Sequence, residues 1–151
     1  MATILCLETA TTNCSVALSE NGSVIAFRED KSKGYSHAER LHVFIEEVLE
    51  ESKITMSELS AIAVSKGPGS YTGLRIGVSS AKGLCYSLDI PLISIPTLQA
   101  LAKQVDNPSD FVIPMLDARR MEVYASVYNS EGIEVRNTQA EILDEHSFSE
   151  Y

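Results

Sequence analysis

The chain has no tryptophan, three cysteines and three histidines in 151 residues, and its 12 Lys and Arg are outnumbered by 21 Asp and Glu. Each shortage excludes something. Cys6, Cys14 and Cys85 are odd in number, lack C-x-x-C spacing and sit in apolar patterns. They read as reduced, buried thiols of a cytoplasmic protein rather than a disulfide framework, a metal knuckle or a nucleophile. His37 and His42 are five apart and fall on different faces of a helix, His146 is remote, and no H-E-x-x-H occurs, so metalloprotease spacing is absent. A net charge of −9 opposes direct clamping of a nucleic acid, because phosphate repulsion would need a local basic patch to overcome it. No apolar run approaches membrane-spanning length, and Met1-Ala2-Thr3 leads straight into a strand with neither a signal nor an anchor pattern. What remains is ordinary globular material, 44% hydrophobic and 22% charged, enough for one domain or two small lobes.

The stretch around which the rest can be placed runs from Ala61 to Gly77. Ala61 to Ser65 is small and apolar, as expected for a central strand covered on both faces. Gly67, Pro68 and Gly69 stop it, and Ser70 or Thr72 can cap a helix that continues to about Leu88, where Asp89 and Pro91 end it. Leu74, Val78, Ala81, Cys85 and Leu88 make one apolar face of that helix for a sheet to cover. Gly73, Gly77, Ser80 and Leu84 form a second stripe, mostly without bulk. Interior glycines cost a helix roughly 1 kcal/mol each relative to Ala. A partner helix, a backbone or a phosphate approaching closely would offset that cost, and so would tight packing within the same lobe.

Three nucleotide or nucleophile motifs fail at this turn. No Lys-Ser/Thr pair follows Gly73, so it is not a Walker loop. The spacing G-x-G-x-x-x-G carries an inserted Pro, and the next strand, Pro91 to Ile95, ends in Pro96-Thr97 with no acid for a ribose. G-x-S-x-G is absent too.

Upstream, Ile4 to Leu7 is a second buried-strand run that ends in Glu8-Thr9-Ala10-Thr11-Thr12-Asn13. A carboxylate followed by hydroxyls could hold a metal or meet a phosphate. It could equally be a turn whose side chains satisfy their own backbone. Cys14 to Glu20 and Ser23 to Glu29 alternate around Asn21-Gly22, a strong hairpin signal, so the lobe opens as a three-stranded meander. Ser36 and Glu39 form a capping box for a helix to about Ser52, with Leu41, Phe44, Ile45, Val48 and Leu49 inward. Its outer positions carry Glu39, Glu46, Glu47, Glu50 and Glu51 against Arg40, whereas the Gly73 helix carries Arg75 and Lys82 and no acid. Opposite charge on two helices suits either solvated faces or pairing with a partner's helices. Thr55 and Glu58 cap one short turn, and Thr97 to Gln104 is a third helical piece.

Asp106 to Ser109 reads as a linker, dividing a first lobe, 1–105, from a partial second lobe, 110–151. Phe111 to Leu116 then ends in Asp117-Ala118-Arg119-Arg120, and Met121 to Tyr128 and Ile133 to Thr138 alternate around a Gly132 turn. Strand, carboxylate turn and hairpin thus occur twice, which suggests a duplicated lobe whose second copy lacks the glycine-rich turn and its helix. That copy is expected to be shortened, and its hairpin, with no helix of its own, either to lean on the first lobe or to expose residues such as Val123 or Tyr124.

Leu5 to Thr11, Cys14 to Leu18, His37-Ala38-Glu39, Lys66 to Gly77 and Asp117-Ala118-Arg119 together resemble the TsaB family, also called YeaZ, of bacterial proteins required for threonylcarbamoyladenosine formation in tRNA. The run G-P-G-S-Y-T-G-L-R-I-G is highly specific, and the resemblance covers essentially all of the chain. Family members usually carry Asp where this chain has Glu8. The resemblance implies an α/β fold of the actin, hexokinase and sugar-kinase type, related to ribonuclease H, in two lobes. It implies a non-catalytic partner of the related enzyme TsaD and of the ATPase TsaE, contacting tRNA indirectly and pairing with itself where the partner is absent. Thr97 and Leu101 stand where TsaD has its metal-binding histidines, and neither replaces an imidazole, so no catalytic residue, metal or cofactor is expected. The implied partner interface comprises Gly73, Gly77, Ser80 and Leu84 on one helix with His37, Arg40 and Phe44 on the other. Two alternatives stand beside this: an ATP-using phosphotransferase or ATPase with Glu8 and Asp117 as its carboxylates, and, less favoured, a metalloprotease.

Overall fold

A computed structural model describes residues 2–32, 37–106 and 110–151. The chain divides into two compact units, 1–95 and 96–151. In the first, β1 (Thr3–Glu8), β2 (Cys14–Glu20) and β3 (Ser23–Asp30) form the expected antiparallel meander. The first helix, α1 (His37–Ser52), is followed by β4 (Ala61–Ser65), α2 (Tyr71–Leu88) and β5 (Leu92–Ile95). The sheet order is β3-β2-β1-β4-β5, with β4 parallel to both β1 and β5. The expected capping box of Ser36 and Glu39 lies outside the described residues, whereas Glu58 accepts the Thr55 N–H at 2.8 Å, as the second capping box requires.

Alternation along β1 and β2 sends Leu5, Leu7, Val16 and Leu18 to one face of the sheet. Both helices pack there. Leu41, Phe44, Ile45, Val48 and Leu49 of α1 join Ile62 and Val64 of β4 in one core with Ala81 and Cys85 of α2. The rotation of α2 differs from the expectation. Its deepest residues are Gly73, Gly77, Ala81 and Cys85, one every four positions, while Leu74, Val78 and Leu88 are half-buried. The small stripe therefore faces inward, and α2 lies close enough to β1 that a larger side chain would not fit.

In the second unit β8 (Glu122–Asn129) is central. It pairs with β6 (Phe111–Val112) and β7 (Met115–Arg119) along one edge and with β9 (Glu134–Ile142) along the other, all antiparallel. Ile113-Pro114 interrupts what read as a single run, because Pro has no N–H to give a ladder. The meander β7-β8-β9 repeats that of β1-β2-β3, and among the described residues β7 has no parallel neighbour such as β4 gives to β1. The helix α3 (Thr97–Ala102), placed with the first lobe on sequence grounds, packs on β8, so the hairpin has a helical cover. Accordingly Val123 is buried, while Tyr124 is 39% exposed. Residues 107–109 of the expected linker lie outside the described residues.

Burial pushes the Cys6 and Cys85 thiols up, against a lowering hydrogen bond from Ser19 and from the Ile62 backbone respectively. Cys14 is pushed up to about 11 by burial first and then by the carboxylates of Asp30 and Glu8. Thiolate is the reactive form, so titration of the native chain at pH 8 with an aromatic disulfide should leave Cys14 unmodified until denaturant is added.

The inward glycines yield a second expectation. Gly77→Leu should unfold the unit or lower its stability by more than the about 1–3 kcal/mol typical of overpacking. Gly77→Ala should also be destabilising although Ala is the better helix former. Thermal melts read the effect, and combining Gly77→Ala with Thr9→Ala should cost less than the sum of the two, because the atom in the way is the Thr9 hydroxyl.

Candidate functional site

The β1–β2 turn and the glycine-rich turn before α2 meet at one end of the first sheet. Thr9 and Ala10 are fully buried between them. The Thr9 hydroxyl donates to the Gly73 carbonyl at 2.8 Å, and the Ser70 N–H donates to the Ala10 carbonyl at 2.6 Å. A Cβ at Gly73 would collide with the Thr9 carbonyl and stand 3.1 Å from the His37 ring, and one at Gly77 would collide with the Thr9 hydroxyl. Close approach of the chain's own backbone therefore explains both glycines. Ser70 caps α2 by accepting the Gly73 N–H at 3.2 Å. Of the first-turn amides of α2, which can draw anions, Gly73 N–H is taken by the Ser70 hydroxyl.

The two candidate carboxylates are used in the same local way. At Glu8, Oε1 accepts the Ala10 N–H at 2.6 Å and Oε2 accepts the Ser65 hydroxyl. Asp117 accepts the Arg119 N–H at 2.8 Å at the end of β7. Glu8 thus binds the turn after its own strand, in line with the self-satisfied alternative raised above, while the Asp117 bond lies within β7 at the irregularity in its pairing with β8. No group of three or more His, Cys, Asp or Glu able to hold a metal exists among the described residues. Thr97 is buried and Leu101 is 37% exposed, one turn apart on α3.

Of the seven residues expected at a partner interface, four point into the first unit. Gly73 and Gly77 meet Thr9, and Phe44 lies in the core. His37, 1% exposed, places Nε2 2.8 Å from the Thr11 carbonyl. Because a carbonyl can only accept, that nitrogen carries the proton. These four are corrected to packing residues: a partner cannot touch them without opening the core. Ser80 and Leu84 are half-buried, and Arg40 is exposed with an ion-pair contact of 3.8 Å to Asp30. Sequence reasoning missed Thr9, whose β-branched side chain sets the spacing of α2; a hydroxyl run ending β1 was its one signal.

On the solvent side, α2 presents Tyr71, Arg75, Lys82 and Tyr86, and Tyr86 is 92% exposed. Arg75 lies over the Tyr71 ring at 5.3 Å and donates to its hydroxyl at 3.2 Å. Beside it α1 exposes Glu39, His42, Glu46 and Glu50, and the His42 ring meets the Ser80 hydroxyl at 3.2 Å across the helix pair. Part of the acidic run is matched within the chain: Arg28 of β3 pairs with Glu47 at 2.7 Å and with Glu51 at 2.6 Å. Such exposed pairs contribute little stability, but they leave the unmatched acids on the side of α1 nearer α2.

The carboxylate assignments have a direct check. Glu8→Ala strands a turn amide and a hydroxyl, and should cost about 1–3 kcal/mol in a denaturant melt, with no magnesium-dependent change in the melting curve. A magnesium-dependent stabilisation that is present in the native chain and lost in Glu8→Ala would contradict the structural role.

The comparisons with known proteins agree with this geometry. The family model described as TsaD, tRNA N6-adenosine threonylcarbamoyltransferase, matches residues 32–147. A tRNA threonylcarbamoyladenosine biosynthesis protein TsaB from Escherichia coli (strain K12) is 35% identical over 130 residues, covering 85% of this chain and 55% of that protein. The chain thus spans about half the length of that curated relative. Among solved structures, YeaZ from Pseudomonas aeruginosa superposes with a TM-score of 0.81 at 32% identity, over 95% of this chain and 68% of the other. The activator of the 2-hydroxyisocaproyl-CoA dehydratase from Clostridium difficile shares the fold alone, at a TM-score of 0.51 and 14% identity over 93% of this chain and 45% of the other. With the expected actin-like α/β fold, the G-P-G-S-Y-T-G-L-R-I-G turn and these matches in agreement, the chain belongs to the TsaB (YeaZ) family.

Proposed function

We propose that this chain is a non-catalytic scaffolding and activating subunit in the formation of threonylcarbamoyladenosine in bacterial tRNA. In this reading it works in the cytoplasm, binds the catalytic relative TsaD and the ATPase TsaE, meets tRNA through the complex, and pairs with itself where TsaD is absent. The observation that carries the reading is the packing of the glycine-rich turn: Thr9 and Ala10 lie where side chains at Gly69, Gly73 and Gly77 would stand, so the chain's own backbone makes the close approach these glycines allow. The local use of Glu8 and Asp117 supports it further over a phosphotransferase or ATPase, and so does the replacement of paired histidines by Thr97 and Leu101 over a metalloprotease.

The docking surface in this proposal is the solvent side of the helix pair. Ser80 and Leu84 border it, Tyr71 and Tyr86 supply aromatic area, and Arg75 and Lys82 stand beside the acids of α1. A related helix pair brought up by an approximate two-fold axis would set basic α2 against acidic α1 on both sides, which favours correct encounter and register more than raw affinity. Among the described residues no helix is long and apolar enough to cross a membrane.

The test is a pull-down with full-length TsaD and TsaE. Arg75→Glu combined with Lys82→Glu should leave the melting temperature nearly unchanged and weaken TsaD capture by about tenfold or more, equivalent to about 1.4 kcal/mol, with the wild-type interaction weakening as salt rises. Turnover of ATP by the purified chain alone, or unchanged capture by the charge-reversed variant, would sink the proposal.

A further inference from the structure

The second unit holds a cavity of about 110 Å³, bounded by the last turn of α3, the β6–β8 pair and the turn between β8 and β9. Ala102 and Lys103 follow Gln99 by three and four positions, so the end of α3 turns one side toward this space. The β8–β9 turn opposite is fixed by its own hydrogen bonds. Asn129 Oδ1 accepts the N–H groups of Glu131 at 3.1 Å and Ile133 at 2.9 Å. Gly132, at φ 76°, donates its N–H to the Asn129 carbonyl at 2.8 Å.

Polar groups without partners gather on this space. Tyr128 lines it and is 2% exposed, yet among the described residues its hydroxyl makes no hydrogen bond. A buried phenol ordinarily has a partner. Lys103 folds over the turn: its Nζ lies 2.5 Å from the place that a Cβ at Gly132 would take, so the missing side chain makes room for the ammonium. Among the described residues that ammonium has no carboxylate within ion-pair distance, although Glu131 lines the same cavity. Lys103, Ser130 and Glu131 are exposed at the rim, while Ala102 and Val112, both half-buried, make the inner wall aliphatic. A cation and an anion thus stand at the mouth of an aliphatic recess without neutralising each other.

We propose that this cavity binds a free α-amino acid with a short aliphatic side chain. The Lys103 ammonium takes the carboxylate, with the Tyr128 hydroxyl as a second donor, and Glu131 takes the α-ammonium. The side chain enters against Ala102 and Val112. Benzene fills an apolar cavity of roughly 150 Å³, so this smaller space admits an isopropyl group and rejects an aromatic ring. The opposite charges at the rim select a zwitterion over a simple carboxylate or amine, because either of those leaves one rim charge unmatched. All of these residues belong to the second unit, and none is part of the α1–α2 surface.

L-valine is the probe, titrated into the full chain and followed through backbone amide shifts. It should bind saturably, with the shifts centred on Val112, Ser130 and Gly132. Isovalerate lacks the ammonium, isobutylamine lacks the carboxylate and L-phenylalanine is too large, so each should bind at least about tenfold more weakly. Lys103→Met should weaken L-valine by about tenfold and leave isobutylamine unmoved, and Glu131→Gln should weaken L-valine similarly and leave isovalerate unmoved. Both residues are exposed, so neither change should lower the melting temperature. Ala102→Leu, which fills the recess, should abolish binding in a chain that still melts cooperatively. No saturable shift with L-valine, shifts centred outside the second unit, isovalerate or isobutylamine binding as tightly as L-valine, or L-valine affinity unmoved in Lys103→Met or in Ala102→Leu would each overturn the proposal.

Discussion

Thr9 is the wedge on which the first unit depends. Its hydroxyl donates to the carbonyl of Gly73, and its backbone and hydroxyl lie where side chains at Gly73 and Gly77 would stand. Two glycines in a helix interior are a stability loss in isolation. Here they let α2 descend onto the end of β1, which brings Ala81 and Cys85 into the core with Leu5 and Ile62. The same approach brings the β1–β2 turn and the glycine-rich turn into backbone contact, with Ser70 N–H donating to the Ala10 carbonyl.

From that placement follows the character of the outer surfaces. With the small stripe turned inward, α2 shows solvent its aromatic and basic residues, Tyr71, Arg75, Lys82 and Tyr86, beside the acids of α1. The core therefore turns the charged sides of the helix pair to solvent. The face of the sheet away from the helices has a different chemistry. Cys6, Ala17, Phe27, Ala63 and Ile93 align across all five strands, apolar and half-buried or exposed. Parallel strands such as β1, β4 and β5 are ordinarily covered on both faces, and this row shows the composition that such covering requires.

The second unit restates the first in a shorter form. Its meander β7-β8-β9 repeats the order of β1-β2-β3, and a carboxylate accepts the N–H two residues on near the end of the first strand in each: Glu8 from Ala10 just after β1, Asp117 from Arg119 at the irregularity within β7. The helix α3 belongs with this sheet because Leu98 and Thr97 are buried on a helix that packs on β8. A boundary read from the polar stretch 106–109 could not detect that, since α3 is too short to declare its partner by periodicity.

Local chemistry was legible without coordinates: Asn21-Gly22 as a hairpin, Ala61 to Ser65 as a central strand, a cap at Ser70 or Thr72 that proves to be Ser70, Asp89 as the end of α2, and the family through its glycine-rich run. These depend on alternation, turn propensity and capping, which act over a few residues. The rotation of α2 did not yield to the same reasoning, because both stripes satisfy a helical period and the choice rests on a hydrogen bond between residues 64 apart. Nor did the roles of Glu8 and Asp117, whose acceptors could have served an ion equally well by type. The sequence by itself determined most of the elements and their order, the split of β6 from β7 excepted; tertiary structure alone decided that Gly73, Gly77, His37 and Phe44 face inward, because side-chain volume has meaning only against the atoms that come to lie beside it.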